Sequence, residues 1–135
     1  MANKALVGLD VGEKRIGVAV ADLSVRIAVP YETILVDGTE IEKIEALVSS
    51  QGADILVLGY PRNQGGEVTS QTQYVEDFAS KLEYLGVKIV FQDESLTSVM
   101  AEQRLKDQGV AYEKADIDAQ AATIILQDYI ELHYA

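Results

Sequence analysis

Three acidic residues stand where an acid is costly to place. Asp10 interrupts the apolar run ALVGLDV, and a carboxylate in such a run needs a partner if it is buried. Glu94 lies at the carboxyl end of a later strand-like run, in FQDESLTS. Asp118 lies in DIDAQAATIIL, in the first turn of a helix, with Ala121, Ala122, Ile125 and Tyr129 following it at helical spacing. If the three converge, like charges repel and raise one another's pKa. A divalent cation that prefers oxygen relieves that repulsion, and Mg²⁺ or Mn²⁺ suits carboxylates and water. Two such ions ~4 Å apart activate water and stabilise the leaving oxygen in phosphodiester hydrolysis. Asp10, Glu94 and Asp118 are therefore the candidate catalytic and metal-binding residues. Two of them also have ordinary readings. Asp118 fits as a first-turn helix residue favoured by the dipole, and Glu94 precedes a helix that Thr97 or Ser98 caps. Asp116 is the rival of Asp118, but two residues turn a helix by about 200° and take it off the alanine face.

The elements that must position these residues follow from periodicity. Residues 4–11, 16–21 and 27–36 read as three strands, with a glycine-containing turn at 12–15. Pro30 marks the third as an edge or bulged strand. Thr39 precedes a helix over 40–51 that Gly52 ends. The run ILVLG within 54–60 is wholly apolar, as for a strand buried on both faces. A polar loop, PRNQGGEVTS, leads to a helix over 70–85, a strand over 87–92, a helix over 98–108 and a last helix from about 116. The order β-β-β-α-β-α-β-α-α predicts a five-stranded mixed sheet covered by helices on both faces, the order of the RNase H-like fold. The first and fourth strands then meet at its middle, where functional groups gather at strand ends.

The chain has 135 residues, 48% of them apolar, which suits one domain spanning 1–135. It has no cysteine and one histidine, His133, which excludes thiolate metal sites and argues against Ser–His or Cys–His catalysis. No apolar run reaches the ~20 residues of a membrane span, and the N-terminus lacks a signal-peptide layout, so no membrane role and a cytoplasmic location are expected. The net charge of −11 argues against coating nucleic acid by electrostatics alone. It is compatible with an enzyme that meets a polyanion through a metal.

Four segments, GLDVGEKRIGVAVAD, VLGYPRNQGGEVTSQTQYVEDFASKL, VFQDESLTSVMAEQRL and DIDAQAATIILQDYI, occur in the order seen in the YqgF (RuvX-like) family, which this chain resembles over almost its whole length. The resemblance implies an RNase H-like fold, divalent-metal nuclease chemistry in the bacterial cytosol, and acidic motif positions at Asp10, Glu94 and Asp118. Members are described as pre-16S rRNA nucleases and as Holliday junction resolvases. The chain departs from the family pattern in three places. D-E-S stands for D-E-R, with Ser95 in place of a basic residue; G-Y-P-R-N-Q-G-G stands for G-L-P-L-N-M-D-G; and Glu13 stands where Thr or Lys is common. A serine at 95 cannot grip a phosphate as an arginine would, and Arg62 in the facing loop is expected to do so instead.

Lys14, Arg15, Arg62, Asn63 and Lys114 are the candidate substrate contacts, the first two following Asp10 closely and the last lying in the loop before Asp118. Lys14 and Arg15 read equally well as solvated hairpin charges. The seven tyrosines are scattered and form no stacking platform, so Tyr129 and Tyr134 read as packing residues. The leading expectation is an endonuclease on structured RNA that matures a 16S rRNA precursor end, working on ribosomal particles as a monomer or weak homodimer. The alternatives are a resolvase of branched DNA, which needs a symmetric dimer, and a catalytically weak ribosome-assembly factor. LDVG before a hairpin also resembles the phosphate loop of actin-like ATPases, but that superfamily needs two such domains.

Overall fold

The computed structural model describes residues 4–61, 67, 69–94, 97–109 and 111–134. Strands β1 (Ala5–Val11), β2 (Arg15–Asp22) and β3 (Ile27–Leu35) come first, then α1 (Glu40–Gln51), β4 (Ala53–Pro61), α2 (Ser70–Leu82), β5 (Lys88–Glu94), α3 (Thr97–Gln108) and α4 (Lys114–Tyr134). The sheet order is β3-β2-β1-β4-β5, so β1 lies at the centre. It pairs antiparallel with β2 and parallel with β4.

Alternation along β1 explains the two cores. Val7, Leu9 and Val11 face one side, where they join Ile44, Leu47, Val75, Phe78 and Leu82 of α1 and α2. Leu6 faces the other side and packs with Ala122, Ile125, Leu126 and Tyr129 of α4. β4 serves both sides, Leu56 and Leu58 to the first core and Ile55 and Val57 to the second, as its unbroken apolar run requires. β3 is an edge strand, and its register with β2 shifts between Val18 and Ala19, opposite Pro30.

Glycines in strands let α4 lie almost on the sheet. A Cβ at Gly8 would stand 2.8 Å from Leu126 Cβ, and one at Gly17 would stand 1.9 Å from the Asp118 carbonyl oxygen. Ala19 and Ala21 continue the small-residue face of β2. The Thr33 hydroxyl adds a hydrogen bond to the Ala115 carbonyl, 2.6 Å. The first turns of α4 are thus pinned to the β2–β3 hairpin.

Several boundaries differ from those expected. β5 runs on to Glu94 because it stays paired with β4 through Pro61. The helix after the polar loop ends at Leu82 and tightens into a 3-10 turn over Glu83–Leu85. The last helix starts at Lys114, so Lys114 is helical and Asp118 sits one turn in. Asp116 is the capping group, accepting the Glu113 N–H at 2.8 Å. Ala121 packs toward Ala101 of α3 with Ile124, off the sheet-facing stripe.

Replacing Gly17 with alanine forces the start of α4 off the sheet. Overpacking of this kind should cost about 3 kcal/mol in urea unfolding. A destabilisation below about 0.5 kcal/mol would show that α4 shifts easily.

Candidate active site

Asp10 follows Leu6 and Gly8 on the α4 side of β1. Its cross-strand partner is Gly17, the residue over which the Asp118 backbone lies. Asp10 and Asp118 are therefore brought together by the absence of a side chain between them. A second glycine does the same on the other flank. β5 is separated from β1 by β4, and Gly59 of β4 leaves the space that Glu94 uses. A Cβ there would stand 2.6 Å from Glu94 Oε2 and 2.6 Å from Ile125 Cδ1. Glu94 thus leans across β4 beneath α4, toward Asp10.

The electrostatics register this convergence. The Asp10 carboxyl is pushed up from 3.8 to about 8, first by burial, then by the negative charge of Glu94, then by that of Asp118. Asp118 has a cation of its own. Arg15 Nε donates to Asp118 Oδ2 at 2.6 Å, in a pair whose side chains are 33% and 22% exposed. Among the described residues, no three acidic or histidine side chains stand together at metal-ligand spacing. The donor set nonetheless fits a hard divalent cation. It offers carboxylate oxygens only, and one of them is poorly solvated and opposed by two like charges.

The α2 N-terminus borders the same end of the sheet. Thr72 donates to the Pro61 carbonyl and accepts the Thr69 N–H at 3.0 Å, while the Gln71 amide reaches the Val11 carbonyl at 3.4 Å. Of the expected substrate contacts, Arg15 lies at the site and is engaged with Asp118. Lys114 is exposed one turn before Asp118, and Lys14 is exposed in the turn beside Arg15. Arg62, Asn63 and Ser95 lie outside the described residues. Sequence reasoning missed Gly17 and Gly59, whose signal was a glycine inside an apolar strand pattern. It also missed the pairing of Arg15 with Asp118, 103 positions apart in the chain.

The architecture has solved counterparts. It superposes on Thermus thermophilus RuvC in complex with a Holliday junction at a TM-score of 0.56, 14% identical, covering 96% of both chains. It superposes on the Fowlpox virus resolvase in its Holliday junction complex at a TM-score of 0.60, 10% identical, covering 97% of this chain and 99% of the other. At such identities the likeness defines the class of fold, the RNase H-like fold of the resolvases. Residues 4–132 match RuvX, described as a Holliday junction resolvase, and the chain belongs to that family. Relatives named "Putative pre-16S rRNA nuclease" include one from Chloroflexus aurantiacus, 43% identical and covering 97% of this chain and 89% of its own. Another, from Synechocystis, is 41% identical and covers 95% and 88%. One from Lactococcus lactis is 36% identical and covers 95% and 94%.

The raised Asp10 pKa fixes a pH dependence. The unfolded chain ionises Asp10 near pH 4, whereas the folded protein keeps the proton up to about pH 8. Between these values the folded state binds more protons, so this group's contribution to stability declines as pH rises through that window. Asp10→Asn resembles the protonated acid and escapes that decline. In EDTA it should match the parent near pH 4 and exceed it by about 1 kcal/mol or more at neutral pH. A variant that melts well below the parent at pH 7 would make Asp10 a structural residue.

Proposed function

We propose that this chain is a divalent-metal endonuclease that hydrolyses phosphodiester bonds in structured RNA, maturing an end of the 16S rRNA precursor in the cytoplasm. The observation that carries the reading is a partly buried Asp10 opposed by Glu94 and Asp118 on one face of the sheet. The names of relatives at 35–43% identity supply the substrate. Asp10, Glu94 and Asp118 would hold Mg²⁺ or Mn²⁺, which when bound activates water and stabilises the leaving oxygen. The chain's own part is to keep three partly buried carboxylates at fixed positions on one face of the sheet. Asp10 gives up its proton to become a ligand, so metal affinity rises with pH toward about 8.

Lys14, Arg15, Lys114, Arg62 and Asn63 serve the phosphate backbone. With a net charge of −11, these few cations and the metal must offset the repulsion of a polyanion. The protein acts as one domain, a monomer or weak homodimer, on ribosomal particles. A second reading, cleavage of branched DNA, is favoured by the RuvX family description. It requires a symmetric dimer to cut two strands.

Cleavage of precursor rRNA and of a four-way DNA junction, each with Mn²⁺ and with EDTA, separates the readings. Metal-dependent cleavage of the RNA is expected, falling by orders of magnitude in Asp10→Asn. Junction cleavage by a dimer with intact precursor RNA would select the second reading, and no cleavage of either would overturn both. Lys14→Gln and Lys114→Gln should each reduce the slope of log affinity against log salt by about one unit. Unchanged slopes would place the phosphates elsewhere.

A further inference from the structure

Arg15 begins β2 immediately after the turn that follows Asp10, and its guanidinium points at the start of α4. It makes one short contact there, Nε to Asp118 Oδ2 at 2.6 Å. The pair is two-thirds or more shielded, unlike the surface pair Lys43–Asp37, 3.7 Å apart with both side chains about half exposed. A charge-assisted contact of this length is a strong one. It has a consequence for the metal. A cation approaching Asp10 and Glu94 must compete with a guanidinium for the third carboxylate. The described residues agree, since no three acids stand together at ligand spacing.

Resting on the metal-nuclease reading, we propose that Arg15 is a positioning residue that exchanges partners. In the free protein it holds Asp118 and neutralises it. When nucleic acid binds, a backbone phosphate takes the guanidinium, and Asp118 is released to complete the metal site. Guanidinium suits this exchange, because its planar fork pairs equally well with carboxylate and phosphate. Asp118 then always has a cation beside it, guanidinium or metal, and the metal site is completed only in the presence of a phosphate. By linkage, metal and nucleic acid bind with positive cooperativity.

The test needs no turnover. Free Mn²⁺ is counted by electron paramagnetic resonance during titration of the parent, Arg15→Gln, Arg15→Lys and Lys14→Gln, without nucleic acid. Arg15→Gln should bind Mn²⁺ about fivefold more tightly, since the competing ion pair is gone. Arg15→Lys keeps the charge and should behave as the parent. Lys14→Gln removes a neighbouring charge that does not touch Asp118, and should change the affinity less than about twofold. In the parent itself, the Arg15 Nε–H nuclear magnetic resonance signal should exchange slowly in EDTA and quickly once Mg²⁺ and a short nucleic acid together saturate the protein. Equal or weaker Mn²⁺ binding by Arg15→Gln, or an Nε–H as protected against Asp118 in that ternary complex as in EDTA, overturns the partner exchange and leaves the nuclease reading standing. Absence of Mn²⁺ binding by all four proteins overturns both.

Discussion

Three partly buried carboxylates share one face of the sheet, and the packing of the last helix on that sheet is what holds them there. Asp10 is fixed by the central strand, Glu94 by the edge strand and Asp118 by α4. Desolvation of Asp10, with the charges of Glu94 and Asp118 beside it, opposes folding, so other contacts must compensate. The second core does this, with Leu6, Ile55, Val57, Ile125, Leu126 and Tyr129 buried between α4 and the sheet. The Thr33–Ala115 hydrogen bond and the Arg15–Asp118 pair add to it at the end nearest the charges. Stability given up at the site is recovered along the rest of the helix, a common arrangement at functional sites.

Glycine does the shaping. Gly17 and Gly59 flank Asp10 on the two neighbouring strands, and each gives up its side-chain volume to an acid or to the backbone that carries one. Neither has an unusual backbone conformation. Their role is close approach, the same use of glycine that lets backbone meet ligand in other folds. A methyl group at either position pushes an acid away from its partners.

The broad architecture was readable in the sequence because its signals were local. Alternation in ALVGLDV, the unbroken ILVLG and the helical spacing after Asp118 each lie within one element. Asp10 stood out against an apolar strand, Asp118 on a small and apolar helix face, and Glu94 by its place at a strand's carboxyl end. What stayed hidden was tertiary. Pairing with β4 extends β5 to Glu94, and capping by Asp116 starts α4 at Lys114. The Arg15–Asp118 pair joins two residues with no sequence relation, so a charge that read as a phosphate contact or a solvated group is engaged by an acid. The close approach at Gly17 depends on where a helix about 100 residues later comes to rest, which no local pattern encodes.

Asp10, Glu94 and Asp118 are proposed to form one metal site. A crystal structure of the protein grown with Mn²⁺ and a short nucleic acid, the ion located by its anomalous scattering, tests it most directly. Mn²⁺ is expected on the α4 side of β1, with carboxylate oxygens of all three residues around one ion or a close pair, at bond lengths of roughly 2.1 Å as for other small hard cations. Mn²⁺ bound elsewhere, or bound with any of the three carboxylates turned away while the site is saturated, would contradict it.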